Sequence, residues 1–81
     1  MDIQKTIYHI RKAYKACPED YTCKPMIKNW LDYMVAAQRL SLPVYIEQGG
    51  VMYRFFRDIA ETHENLRGDF YDHCMAVSFA P

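Results

Sequence analysis

Cysteine is scarce in this chain, and its three copies, Cys17, Cys23 and Cys74, are an odd number. That excludes a disulfide framework. Cys17 and Cys23 flank a short loop and would pair in an oxidising compartment, but no export signal is evident and reduced thiols are expected. No apolar run approaches the ~20 residues of a membrane span. The opening stretch MDIQKTIYHIRK interleaves charge with apolar residues instead of forming the unbroken apolar core of a signal peptide, so the expected compartment is the cytoplasm. Net charge is absent too, at ten basic against ten acidic residues. A strong nucleic-acid binder normally carries a basic excess across the domain, and an acidic mimic of DNA the reverse. Neither description fits. Gly49-Gly50 lacks the following Lys and Ser/Thr of a phosphate-binding loop. There is no internal repeat, no low-complexity segment and no linker long enough to divide the chain.

What is present is apolar and aromatic. Hydrophobic residues make up 51% and aromatic residues 15% of the 81 positions, which rules out a disordered chain. This length makes one domain, near the lower end of what folds unaided. Its core yields only a few kcal/mol net, so oligomerisation or a bound partner would matter to stability. The charges are also uneven. Residues 1–28 carry six Lys/Arg against three Asp/Glu, a net of +3, whereas residues 29–81 carry four against seven, a net of −3.

Apolar spacing defines four helices. Ile3, Ile7, Ile10, Tyr14 and Cys17 recur every three or four residues and predict a helix over 2–17, capped by Asp2 and stopped by Pro18. After the polar connection PEDYTCK, Pro25 suits a first helical turn, and a second helix is expected over 25–40. Met26, Ile27, Trp30, Leu31, Tyr33, Met34, Val35, Ala37 and Leu40 cover more than half of its circumference. A surface helix needs a narrower stripe, so this one is either central or partly exposed for a partner.

The third helix, expected over 51–66, is the segment around which the fold should be built. Val51, Met52, Phe55, Phe56, Ile59, His63 and Leu66 share one face, with Ala60 at its edge and Arg54, Arg57, Asp58, Glu61, Glu64 and Asn65 opposite. Gly49-Gly50 reads as a break before it and Gly68 as a left-handed stop after it. Ser41-Leu42-Pro43 reads as another start signal, with Ser41 capping. The stretch 43–48 is then either one extra turn or the first strand of a hairpin turning at Gln48-Gly49-Gly50. The hairpin, spanning about 43–55, would make the fold α+β and shorten the helix to Phe56–Leu66. The longer helical period favours an all-α domain of four helices. The last of them is expected over 70–79, capped by Asp69, with Phe70, Cys74 and Val77 on one face.

Chemistry-bearing clusters are few. His63 lies on the apolar face of helix three, where a histidine bonded to a carbonyl is the simpler expectation than a ligand or general base. Asp69, Asp72 and His73 are the best local metal constellation, to which His9, His63 and the cysteines are the only additions. No C-x2-C or H-x3-H pair lets one turn supply two ligands, so no metal and no cofactor is expected. None of the cysteines sits in a nucleophile signature, and so short a chain rarely encloses a substrate pocket. The protein is not expected to be an enzyme.

Two binding surfaces remain. Lys5, Arg11, Lys12 and Lys15, with Gln4 and Tyr8 among them, form a basic face on helix one that Lys24 and Lys28 extend. The loop to helix two is longer than a helix-turn-helix uses. The other surface rests on composition. Seven Tyr, four Phe, one Trp and five Met exceed what a core this small needs, and Trp, Tyr, Met and Arg are enriched at protein interfaces. Tyr8, Tyr21, Trp30, Tyr33, Tyr45 and Tyr53 are the candidates, with Met34 as adaptable filler. The expected function is a small protein-binding inhibitor, adaptor or regulator of a larger complex. Small domains of this kind are often phage or mobile-element products that block a host defence enzyme such as a CRISPR effector, an expectation drawn from the class and not from any residue. A homodimer through helix two is a further expectation. The alternative is a nucleic-acid-associated regulator using the basic face.

Overall fold

The computed structural model describes residues 2–41 and 48–77, together with the backbone alone of residues 46 and 47. Four helices run in order: α1 (Ile3–Ala16), α2 (Lys24–Arg39), α3 (Ile46–Thr62) and α4 (Asp69–Ala76), with a 3-10 turn at Glu64–Leu66 before the last. The protein is all-α, with no strand among the described residues.

Local chemistry accounts for most boundaries. The Asp2 carboxylate accepts from the Lys5 amide at 3.1 Å, satisfying one donor that lacks a helical partner. Cys17 turns extended (φ −79°, ψ 126°) because Pro18 follows it and bars the helical conformation. Pro25 occupies the first turn of α2. At the other end of α2, Ser41 adopts a left-handed φ of 52° and its amide bonds the Gln38 carbonyl. Ser41 therefore closes α2. Residues 42–45, Tyr45 among them, lie outside the described residues, so only 46–48 of the stretch read as an extra turn or first strand over 43–48 is described.

The third helix departs furthest from its expected span. It begins at Ile46 and runs straight through Gly49 and Gly50, so Val51–Phe55 is helical and no hairpin forms there. A glycine costs a helix interior only about 1 kcal/mol relative to alanine. Burial of Gly49, Met52, Phe56, Ile59 and Ala60 along one side of α3 offsets that cost. The buried side is also rotated from the expected one. Gly49 and Ala60, which allow close approach of a neighbour, turn inward, while Val51 is left 50% exposed. The helix stops at Thr62 because His63 leaves the helical region (φ −103°, ψ 52°), and the last expected turn continues as 3-10. Gly68 has the positive φ expected of a glycine-only position, at 110°, but it serves as the N-cap of α4. Asp69 is the first residue of α4 and not its cap. Phe70 and Cys74 of α4 and Val77 at its C-cap are buried as their spacing implied, and residues 78–81 lie outside the described residues.

The main helix contacts are α1 with α4, α1 with α2, and α3 with α4. Both α1 and α4 thus meet two neighbouring helices, whereas α3 packs chiefly on α4 and is not the hub expected of it. Ile7, Ile10 and Ala13 of α1 face Ile27, Leu31 and Met34 of α2 and the α4 residues in one continuous core. The Cα radius of gyration, 11.8 Å, is that of a well-packed 81-residue domain. No helix among the described residues is long and apolar enough to cross a membrane.

Candidate functional site

Because α2 packs chiefly on α1, part of its wide apolar arc stays uncovered. Met26 and Leu40 are 51% and 66% exposed. Trp30 and Tyr33, one turn apart, are half-buried and meet edge to face with ring centroids 5.8 Å apart. At 100° per residue these four side chains fall within about 80° of one another, on a strip about 20 Å long. The Tyr33 hydroxyl donates to Oε1 of Gln48 at the start of α3. Asn29, Trp30, Tyr33 and Gln48 together line an open cleft of about 260 Å³. The arrangement offers an aromatic floor edged by two amide side chains, which suits an apolar anchor flanked by hydrogen-bonding groups.

The other aromatic candidates are placed elsewhere. Tyr8 is 50% exposed on α1, with the Lys12 ammonium 5.6 Å from its ring centre. Tyr53 lies under the Arg57 guanidinium at 5.1 Å on α3. Tyr21 is engaged internally, since its hydroxyl accepts from Asn65 at 2.8 Å and its ring packs on His63. Met34 is fully buried in the core and does not line the cleft.

On α1, Lys5, Arg11, Lys12 and Lys15 are all exposed, and none has an ion-pair partner among the described residues. Lys28 is exposed as well but pairs with Asp32 at 2.6 Å one turn along α2. Lys24 does not extend the patch. It is only 7% exposed, and its ammonium bonds the Cys17 carbonyl and the Glu19 carboxylate. Donating to the Glu19 carboxylate raises the Lys24 pKa above its ordinary value, more than burial lowers it.

The imagined metal constellation does not assemble. No group of three or more His, Cys, Asp or Glu among the described residues is placed to hold a metal ion. His63 Nδ1 donates to the Ile59 carbonyl at 2.9 Å, which is the simpler role expected of it. His73 instead meets His9, with Nδ1 atoms 3.0 Å apart, and also lines a second cavity of about 260 Å³ with Lys12, Lys15, Ala16 and Asp69. Burial first, then His73 and Lys5, holds the His9 pKa below the usual histidine value. All three cysteines are buried free thiols, with Sγ of Cys17 and Cys23 3.8 Å apart. Burial pushes the Cys17 and Cys74 thiols up to about 12, which leaves them poor nucleophiles.

Sequence spacing did not reveal Gln48 as a cleft wall, nor the His9–His73 pair, because residues on different elements carry no shared period. No family model, curated protein or solved structure matches this chain.

Proposed function

We propose that this protein is a small non-catalytic binding module that docks on another protein through the Trp30–Tyr33 cleft of α2, acting as an inhibitor or regulator of a larger complex. The observation carrying this reading is the cleft itself: an edge-to-face aromatic pair, walled by amides and bracketed by exposed Met26 and Leu40. Clustered Trp and Tyr side chains supply most of the binding energy where proteins meet. Three buried thiols, of which burial raises the pKa of Cys17 and Cys74, and a carbonyl-bound His63 leave little material for catalysis.

The test is affinity capture with tagged protein from its native lysate, with and without nuclease, repeated with the Trp30→Ala/Tyr33→Ala variant. A stoichiometric protein partner that survives nuclease and is lost with the variant supports the reading. A second copy of the chain, seen as a dimer in light scattering that the variant dissolves, would make the same face a self-association surface. Partners that vanish with nuclease would overturn it.

That last outcome is the second reading, favoured by four exposed cations along α1 that have no ion-pair partner among the described residues. Reversing Lys5, Arg11, Lys12 and Lys15 to Glu would then abolish binding together with its salt dependence. A protein docked on α2 would be little affected.

A further inference from the structure

Two histidines separated by 64 positions in the chain meet where α1 packs on α4, with Nδ1 of His9 and Nδ1 of His73 3.0 Å apart. Their ring centroids are 5.2 Å apart, and the Tyr8 ring meets both rings edge-on. So short a nitrogen–nitrogen contact is a hydrogen bond only when one ring presents N–H and the other a lone pair. Two neutral rings satisfy that, and so do one neutral ring and one imidazolium. Two imidazolium rings cannot, because two N–H bonds and two like charges would then face each other.

The surroundings make the second proton harder to accept. From α1, Lys5 stands one turn before His9 and Lys12 about one turn after it. Lys15 lies on the wall of the cavity that His73 lines. From α4, Asp69 is on that same wall, one turn before His73, and Asp72 is exposed beside His73 in sequence. Three lysines against two carboxylates also oppose a metal cation, for which the described residues offer no third ligand. The pair tolerates one proton, and the second is the one that breaks it.

We propose that the His9–His73 pair is a proton-operated latch, holding α4 on α1 at neutral pH and releasing it in mildly acidic solution. Release would uncover Phe70, Cys74 and Val77 together with the α1 surface they cover. The packing of α1 on α2 does not pass through the pair, so the acid form loses α4 first. The lowered pKa of His9 agrees with the direction: the folded protein resists a proton that the unfolded or undocked chain accepts. Docking is then complete above the ordinary histidine value and lost as pH falls through the lowered one.

The experiment is amide hydrogen exchange by NMR on the full chain at about pH 7.5 and about pH 5, corrected for intrinsic rates, with the imidazole signals titrated in parallel. Protection of α4 relative to α2 is expected to fall by up to about tenfold per pH unit, the limit for one linked proton. His9→Gln, which keeps a hydrogen-bonding group that cannot titrate, should abolish that fall, and His63→Gln should leave it intact. Unchanged relative protection of α4 in the wild type, or an equal fall in His9→Gln, overturns the latch. If His9→Gln does not fold, the wild-type titration decides. A His9 signal titrating below the ordinary histidine value, in step with loss of α4 protection, supports the proposal. One titrating at the ordinary value overturns it.

Discussion

The Lys24 ammonium donates to the main-chain carbonyl of Cys17 at 2.7 Å, bridging the connection between α1 and α2. The Cys17 carbonyl lies just past the end of α1, where helical carbonyls run out of amide partners. The same ammonium sits 4.7 Å from the centre of the Tyr14 ring and pairs with Glu19 at 3.0 Å. These contacts differ in worth, because the Lys24 side chain is 9% exposed and that of Glu19 is 91% exposed. An exposed partner adds little through water and salt. Lys24→Met, which keeps the aliphatic stem but strands the carbonyl, should lower the urea midpoint clearly, while Glu19→Gln should barely move it. Equal effects of the two substitutions would show that the ion pair, and not the carbonyl bond, is what matters.

Two glycines should respond oppositely to the same change. Gly50 lies inside α3 with open space where a Cβ would stand. Gly50→Ala should therefore stabilise the protein by about 0.5–1 kcal/mol, the usual gain in a helix interior. Gly68 holds a φ of 110° at the N-cap of α4, a conformation L side chains rarely adopt. Gly68→Ala should cost about 1–3 kcal/mol. At this chain length each kcal/mol shifts Tm by about 4–8 °C, so thermal unfolding followed by circular dichroism resolves both.

The periodic signals in the sequence were the ones that survived folding. Ile7, Ile10 and Cys17 on α1, Ile27 and Leu31 on α2, and Phe70, Cys74 and Val77 on α4 are buried where their spacing places them. The failures have specific causes. Gly49-Gly50 looked like a break because propensity is local, whereas burial of Gly49 and the residues beyond it is tertiary. Lys24 looked like part of a charged surface, but its long stem folds back over Tyr14 toward a carbonyl seven residues earlier. Trp30 and Tyr33 were identifiable from residue type and helical spacing. Gln48, which closes their cleft from α3, was not, since nothing in the sequence fixes how α3 sits beside α2.

The cysteines give a prediction with a definite sign. Burial raises the Cys17 and Cys74 thiols from 9.0 to about 12 in the folded protein. A raised pKa contributes stability that is present below the unfolded value and lost as pH rises toward the folded one. Stability should therefore decline from about pH 9 upward, and less steeply in Cys74→Ala after allowing for its lower starting point. Three units also cut the thiolate fraction at neutral pH by about a thousandfold, so native thiols should react with a disulfide reagent far more slowly than urea-unfolded ones. Rapid native labelling of Cys74 would contradict the burial.

Stability and partner affinity should separate cleanly across α2. Met34 is fully buried behind the cleft, so Met34→Ala should cost about 2–5 kcal/mol of folding free energy while leaving the binding groups of the surviving folded fraction in place. Trp30 and Tyr33 are half-buried and face outward into the cleft. Truncating both should cost less in stability, yet each anchor of this type typically carries about 2 kcal/mol of binding, a factor of roughly 30 in Kd. Tyr8, on the basic face of α1, serves as the control, and Tyr8→Ala should leave the affinity unchanged. Calorimetric titration with the captured partner, run beside urea unfolding of each variant, gives both quantities on the same protein. If Tyr8→Ala weakens binding while Trp30→Ala/Tyr33→Ala does not, the contact surface lies on α1 and the cleft of α2 is only the uncovered edge of a core.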